Sequence, residues 1–237
     1  MSDAPPSDRV KTLLQGVVRR LRGGSRERER RWLRDLGVRT ALDIGANTGQ
    51  FARELRELYP NAMVYSFEPL PDCHEALTRA FRGDPRFRAF NVALGDARGE
   101  VTMHRSAWSP SSSLLAMGES HKRAFPHTSE ERPQVVKCER LDDLASELVL
   151  EAPLLVKMDV QGFEDRVLAG GPEVFKRASV VLTEMSVEPL YEGQVLFDGL
   201  YRALVDLGFR YRGNLNQLHS PEDGRVLQVD GIFTRGT

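Results

Sequence analysis

The 237-residue sequence holds only two cysteines, has a formal net charge of −1, and contains no apolar run near the roughly 20 residues a membrane-crossing helix needs. Each shortage excludes something. Cys73 and Cys138 have no metal-ligand spacing and make no disulfide framework, so they read as unpaired structural thiols in a reducing compartment. Balanced charge supplies no global field toward nucleic acid or an anionic membrane, and no nucleic-acid partner or transmembrane segment is expected. The start Met1-Ser2-Asp3-Ala4-Pro5-Pro6 has no apolar secretion core behind a basic stretch, which predicts a cytoplasmic protein. Nor is there an internal repeat. A 41% hydrophobic chain of this length can nevertheless bury a substantial core without staples.

Residues 1–37 read as a basic helical extension. Val10, Leu13, Leu14, Val17, Val18 and Leu21 recur at helical spacing, and Gly23-Gly24 should end that helix. Its arginines, Arg19, Arg20 and Arg22 among them, could rest weakly on a membrane or an acidic partner; the simpler reading is a cap helix with its arginines in solvent. A second short helix is expected over Glu27–Leu36.

Residues 38–237 alternate strand and helix. Strands are expected at Thr40–Ile44, Ala62–Phe67, Phe87–Leu94, Leu154–Val160 and Val180–Met185. Helices are expected at Gln50–Leu58, Cys73–Phe81, Glu164–Ala169 and Phe197–Leu207, with an antiparallel pair, Phe209–Arg212 and Val226–Thr234, closing the sheet. This is an α/β fold with a mostly parallel sheet covered on both faces. Residues 95–153 break the alternation with strands at Glu100–Arg105 and Gln134–Cys138, a helix at Leu141–Leu148 and a long irregular stretch. An insertion of that size in a compact domain suggests a functional cover over the acceptor site.

The first strand ends in Asp43-Ile44-Gly45-Ala46-Asn47-Thr48-Gly49. Gly45 and Gly49 permit a sharp turn and close approach of backbone to a ligand, and the following helix offers free N–H groups and positive dipole. A dinucleotide turn requires a middle glycine to seat a diphosphate; Asn47 stands there instead, which suits a ligand with a carboxylate and an ammonium. Glu68, at the end of the second strand and followed by Pro69, can accept both hydroxyls of a ribose. Asn91 and Ala93, at the third strand end, could flank an adenine. Three successive strand ends with fitting residues, together with Asp159 at the fourth, make the cofactor-binding set Asp43, Gly45, Ala46, Asn47, Gly49, Glu68, Pro69, Asn91, Ala93 and Asp159.

These residues resemble the FkbM-type methyltransferases that use S-adenosyl-L-methionine (SAM). The resemblance runs through Asp43–Gly49, Phe67–Pro69, Asn91–Leu94, Ser111–Leu114, Lys157–Gly162 with Glu164, Glu184 and Pro189–Gln194, and so covers roughly residues 38–235. At Gln161 many members carry glutamate. The resemblance implies a class I Rossmann-like fold with a seven-stranded sheet, SAM as methyl donor, and transfer to a hydroxyl of a sugar, glycolipid or specialised metabolite. Two other classes compete with it: a nicotinamide-dependent oxidoreductase, against which the missing glycine counts, and a non-catalytic scaffold that kept the fold.

Methyl transfer to an alcohol needs alignment and removal of a proton. Asp159 and Glu184, ending the fourth and fifth strands, are the leading catalytic candidates. With Glu164 and Glu188 they could also hold Mg²⁺ through oxygen ligands; alternatively Asp159 acts as a base or faces the sulfonium. Lys157 points to the same face as Asp159 and could pair with it. His121 and His127, in the insertion, are further candidate bases, as is His104; His74 and His219 look peripheral. Ser109–Ser113 could hydrogen-bond a polyhydroxylated acceptor, Trp108 could stack on a sugar ring, and Tyr191, Glu192 and Gln194 would wall the same edge.

Overall fold

The computed structural model describes residues 31–236. The helix expected at Val10–Leu21 lies outside them, as does most of that at Glu27–Leu36, of which residues 31–35 are helical.

The chain runs β1 (Thr40–Ile44), α1 (Gln50–Leu58), β2 (Met63–Phe67), α2 (Pro71–Ala80), β3 (Phe87–Phe90) and β4 (Ala93–Leu94). The insertion supplies β5 (Gly99–Ser106), α3 (Glu119–Ala124), β6 (Glu131–Glu139) and α4 (Leu141–Leu144). Then come β7 (Leu154–Met158), α5 (Glu164–Gly170), α6 (Pro172–Arg177), β8 (Val180–Ser186), α7 (Phe197–Asp206), β9 (Arg210–His219) and β10 (Val226–Thr234).

Seven strands form one sheet in the order β3-β2-β1-β7-β8-β10-β9. All neighbours are parallel except β10, which is antiparallel to both β8 and β9. The order reverses between β1 and β7, and ligands of open α/β sheets bind beside such a reversal. This is the class I methyltransferase architecture, as the sequence resemblance implies. The helix expected at Leu141–Leu148 is α-helical only to Leu144 and ends in a 3₁₀ turn, α3 stands in the stretch expected to be irregular, and three further differences appear. The predicted strand Phe87–Leu94 breaks at Asn91-Val92, and Ala93–Leu94 joins β5 and β6 in a second, three-stranded sheet. The last pair begins with a ten-residue strand rather than the four residues expected. The helix α6 lies between the expected helix Glu164–Ala169 and strand Val180–Met185, where no element is expected.

Period-two alternation builds two cores. Ala41, Val64, Leu155, Val180, Leu182 and Ile232 point to the α1 side, where Leu33, Val38, Ala52 and Leu55 meet them. Leu42, Ile44, Val156, Met158 and Val181 point to the other face with Val167, Phe175, Leu200 and Leu204. Leu33 therefore ties the end of the N-terminal extension to the domain, and the Tyr59 hydroxyl donates to its carbonyl. By the same alternation Asp43, Lys157, Glu184 and Asp230 all face the α1 side. Register places Asp43 opposite Lys157 and Glu184 opposite Asp230. The fold thus gathers four charged side chains into one row across a buried sheet face.

Candidate active site

A cavity opens over the carboxyl ends of β1, β2, β7 and β8. Its wall includes Gly45, Ala46, Asn47, Glu68, Pro69, Asp159, Gln161, Glu184 and Asp230, with an apolar lobe of Val92, Ala93, Leu94, Met103 and Leu114.

The β1–α1 turn forms one wall. Gly45 has φ 78°, and a Cβ there would sit 1.9 Å from the Asp159 carbonyl oxygen, so only glycine lets β1 and β7 close together at this point. Asn47, with φ 47°, donates its backbone N–H to Glu68 Oε2 at 2.8 Å, and Leu70 N–H donates to Glu68 Oε1 at 2.8 Å. Both carboxylate oxygens are thus held, each with lone pairs left for a ligand. Glu68 is buried, and burial pushes its acid up to about 7 against those two hydrogen bonds. The turn amides 45–48, which precede the helix, are all engaged within the protein, at the Phe67 carbonyl, Glu68 and the Asn47 side chain. No side chain caps α1, however, and a helix start leaves its first-turn N–H groups without intrahelical acceptors.

Lys157 binds three groups from beneath the turn. Its ammonium lies 3.3 Å from Asp43, 3.4 Å from Asp159 and donates to the Gly45 carbonyl at 3.1 Å. Asp43 has no exposed surface; burial raises its acid, and the Lys157 charge and hydrogen bond oppose that. The two acids raise Lys157 despite its own burial. Asp43 and Gly49 do not line the cavity. Asp43 anchors the turn, and Gly49 starts α1 with φ 87° against Leu77 and Phe81. Asn91 is exposed and also off the wall; its amide donates to the carbonyls of Glu68 and Pro69 and so props the β2 end.

Gln161, not singled out as a site residue in the sequence, is the hub of the opposite wall. Held at φ 56°, its Nε2 donates to Asp159 Oδ1 at 2.8 Å and to Glu184 Oε2 at 2.7 Å. Its Oε1 accepts from the Tyr191 hydroxyl at 2.7 Å, and its backbone oxygen accepts from Ser113 Oγ at 2.7 Å. Glu164 fixes this loop by accepting the N–H groups of Val160 and Gly162, and burial pushes its acid up to about 7. Glu184 accepts a further bond from Gln228 Nε2 at 3.0 Å; burial, then Asp159, Asp230 and Glu164, raise its acid well above the usual range.

Asp159 and Glu184 therefore come together as expected, with an amide between them. Glu188 does not join them and pairs with Arg225 at 2.8 Å. Among the described residues no group of three or more His, Cys, Asp or Glu is arranged to hold a metal ion.

None of the three candidate histidines lines the cavity, and His104 lies within β5. His121 is buried against Phe125 and Tyr191, its Nε2 at 3.1 Å from Thr128 Oγ1, and burial lowers its acid to about 4. His127 is exposed on a 3₁₀ turn. The serines serve structure first: Ser109 Oγ accepts from Asn47, Ser112 Oγ from Ser106 N–H, and Ser113 Oγ bonds Gln161. Trp108 faces a neighbouring groove with Arg105 and Asp72.

The sequence matches the family described as "Methyltransferase FkbM domain" over residues 43–211. It is 36% identical over 172 residues to the 2-O-methyltransferase NoeI of Sinorhizobium fredii, covering 70% of this chain and 69% of NoeI. It is 26% identical over 144 residues to the hexuronic acid methyltransferase AglP of Haloferax volcanii, covering 60% of this chain and 54% of AglP. Among solved structures, SAM-bound magnesium protoporphyrin IX methyltransferase of Synechocystis PCC 6803 aligns with a TM-score of 0.48 at 10% identity, over 99% of this chain and 100% of that one. The family match spans most of the described domain, including the turn, Glu68, Asp159, Gln161 and Glu184, and the chain belongs to the FkbM methyltransferase family.

Proposed function

We propose that the protein transfers a methyl group from SAM to a hydroxyl oxygen of a sugar-bearing small molecule. The observation that carries the donor assignment is Glu68: a buried carboxylate on the cavity wall whose two oxygens are pinned by separate backbone donors, Asn47 and Leu70. That geometry presents two acceptors in a fixed plane to a ribose diol. The apolar lobe of Val92, Ala93, Leu94, Met103 and Leu114 accepts an adenine beside it. On the other side of Glu68, the uncapped start of α1 suits the carboxylate of the donor's amino-acid end, and Asp159 suits its ammonium. The residues present thus fit the group.

Bound SAM supplies a methyl carbon on a positively charged sulfur, with a neutral thioether as leaving group. The protein's part is alignment and electrostatics. Asp159, Glu184 and Asp230 line the cavity on one side, while Lys157 is already committed to Asp43 and Asp159. This end of the cavity therefore favours a cationic donor over its neutral product. No step is assigned to Mg²⁺, because a cation between Asp159 and Glu184 would meet the two N–H donors of the Gln161 amide.

A hydroxylated acceptor is favoured by the names of NoeI and AglP, one a 2-O-methyltransferase and the other acting on hexuronic acid. The test is label transfer from methyl-tritiated SAM to a panel of methyl hexosides and hexuronides. Label in at least one glycoside with equimolar S-adenosylhomocysteine (SAH) supports the reading. Binding of SAM without transfer to any glycoside removes the sugar assignment, and absence of SAM binding removes the whole.

A further inference from the structure

The acids around the cavity are not equivalent. Glu68 is held by two backbone donors and Glu164 by two more. Asp159 is paired with Lys157 and bonded by Gln161. Glu184 takes amide donors from both Gln161 and Gln228. Asp230, in the middle of β10, differs. It stands opposite Glu184 on β8 and Asn216 on β9, lines the cavity, and forms no ion pair among the described residues. Among the described residues its side chain is hydrogen-bonded by Asn216. The sheet thus presents one under-committed carboxylate at the end of the cavity away from the adenine lobe.

We propose that Asp230 takes the proton from the acceptor hydroxyl during methyl transfer. The inference rests on the donor-site reading above. The hydroxyl oxygen bonds the methyl carbon as the carbon–sulfur bond breaks. Sulfur keeps that electron pair and becomes a neutral thioether, and the hydroxyl proton moves to an Asp230 oxygen, which becomes a neutral acid. A cation and an anion are consumed together, so the reaction disperses charge in a site where burial makes charge costly.

The groups facing Asp230 suit it to that task. Burial, then Asp159, push its acid up to about 6, while Asn216 and Lys157 pull the other way. A base whose acid form sits a little below neutral is ionised at working pH and still basic. Glu184, opposite it, is raised well above the ordinary carboxylate range by burial and its acidic neighbours, Asp230 among them, and two such carboxylates do not ionise together easily. Glu54 of α1 faces the same cavity across from β10, Glu164 lies behind the Gln161 loop, and no histidine lines the wall.

The test compares wild type, Asp230→Asn and Asp230→Glu. Carbon-detected NMR of the SAH complex should show a side-chain carboxyl titrating near about 6 that is missing from Asp230→Asn. SAH affinity of Asp230→Asn, by calorimetry, should stay within about threefold, because this carboxylate does not hold the donor. Transfer to the glycoside panel should fall about 10²–10⁴-fold in kcat, with loss of the acid limb and partial recovery in Asp230→Glu. An Asp230 titrating at the ordinary carboxylate value, or a variant keeping kcat within about fivefold and the same acid limb, overturns the proposal. Failure of wild type itself to bind SAH overturns the donor reading beneath it, a result distinct from either.

Discussion

Replacing Glu68 by glutamine perturbs the cavity with almost no change of shape. The carboxylate accepts from Asn47 and Leu70, one bond to each oxygen, in a buried position. Glutamine has a single oxygen, so its NH₂ must confront one of those two N–H groups. A buried donor left unpaired costs about 1–3 kcal/mol. On the ligand side one of two charge-assisted bonds to the ribose diol is lost, at about 1.5–3 kcal/mol, and the survivor is no longer charge-assisted. The first cost is present with or without ligand and falls on folding; the second, with the weaker survivor, comes to about 2–4 kcal/mol and weakens SAM and SAH binding about 30- to 1,000-fold. The pH dependence carries a second signature. The folded acid titrates at about 7, above its ordinary 4.5. In the free protein this group's stabilising contribution is full below about 4.5 and is lost as pH rises through about 7. Donor hydroxyls bond the ionised form, so affinity should fall as pH drops below about 7, approaching tenfold per unit, and the variant should be flat. Calorimetric titration with SAH from pH 6 to 8.5 reads both effects. Binding by Glu68→Gln within about threefold of wild type, or with the wild-type slope, would refute the assignment of Glu68 to the ribose.

Four further outcomes are expected. Lys157→Met leaves the fully buried Asp43 without its cation and should cost about 3–5 kcal/mol in urea unfolding; adding Asp43→Asn should recover part of that, and a loss under about 1 kcal/mol counts against the clamp. Gly45→Ala forces a Cβ onto the Asp159 carbonyl at a positive φ, so both Tm and SAH affinity should drop, the latter at least tenfold; a variant with wild-type values shows the turn to be tolerant. His127→Ala and His121→Phe should keep kcat for methyl transfer within about twofold, whereas a tenfold loss in either would return a histidine to the chemistry. Gln161→Glu adds a third carboxylate between Asp159 and Glu184, so Mg²⁺ should raise the Tm of this variant and not of wild type; equal responses sink the idea that the amide occupies the cation position.

Local pattern carried much of the fold. The apolar strands β1, β7 and β8 and the amphipathic helices α1 and α7 read directly, because burial on two faces or one face leaves a periodic trace. The break at Asn91-Val92 left none, since Ala93 and Leu94 are as apolar in the second sheet as in the first. β9 runs past its expected end at Arg212, its residues alternating between exposed and half-buried except at Leu215-Asn216, where two half-buried residues follow one another. In the site, Gly45 and Glu68 were legible because turn chemistry and strand ends are local. The Gln161 hub was not: its bonds reach Glu184, Tyr191 and Ser113, between 23 and 48 residues away. Asp230 did leave a signal, a lone acid inside the apolar stretch Val226–Thr234, which a reading for buried charge would have caught. The histidines misled because an irregular insertion conceals which of its residues face inward.

A crystal structure of the wild-type protein with SAH tests the donor site most directly. The ribose hydroxyls should lie within hydrogen-bond distance of both Glu68 oxygens, the adenine among Val92, Ala93, Leu94, Met103 and Leu114, and the sulfur on the side of Asp159, Gln161 and Asp230. A ligand seated elsewhere, or with its ribose away from Glu68, would contradict the assignment.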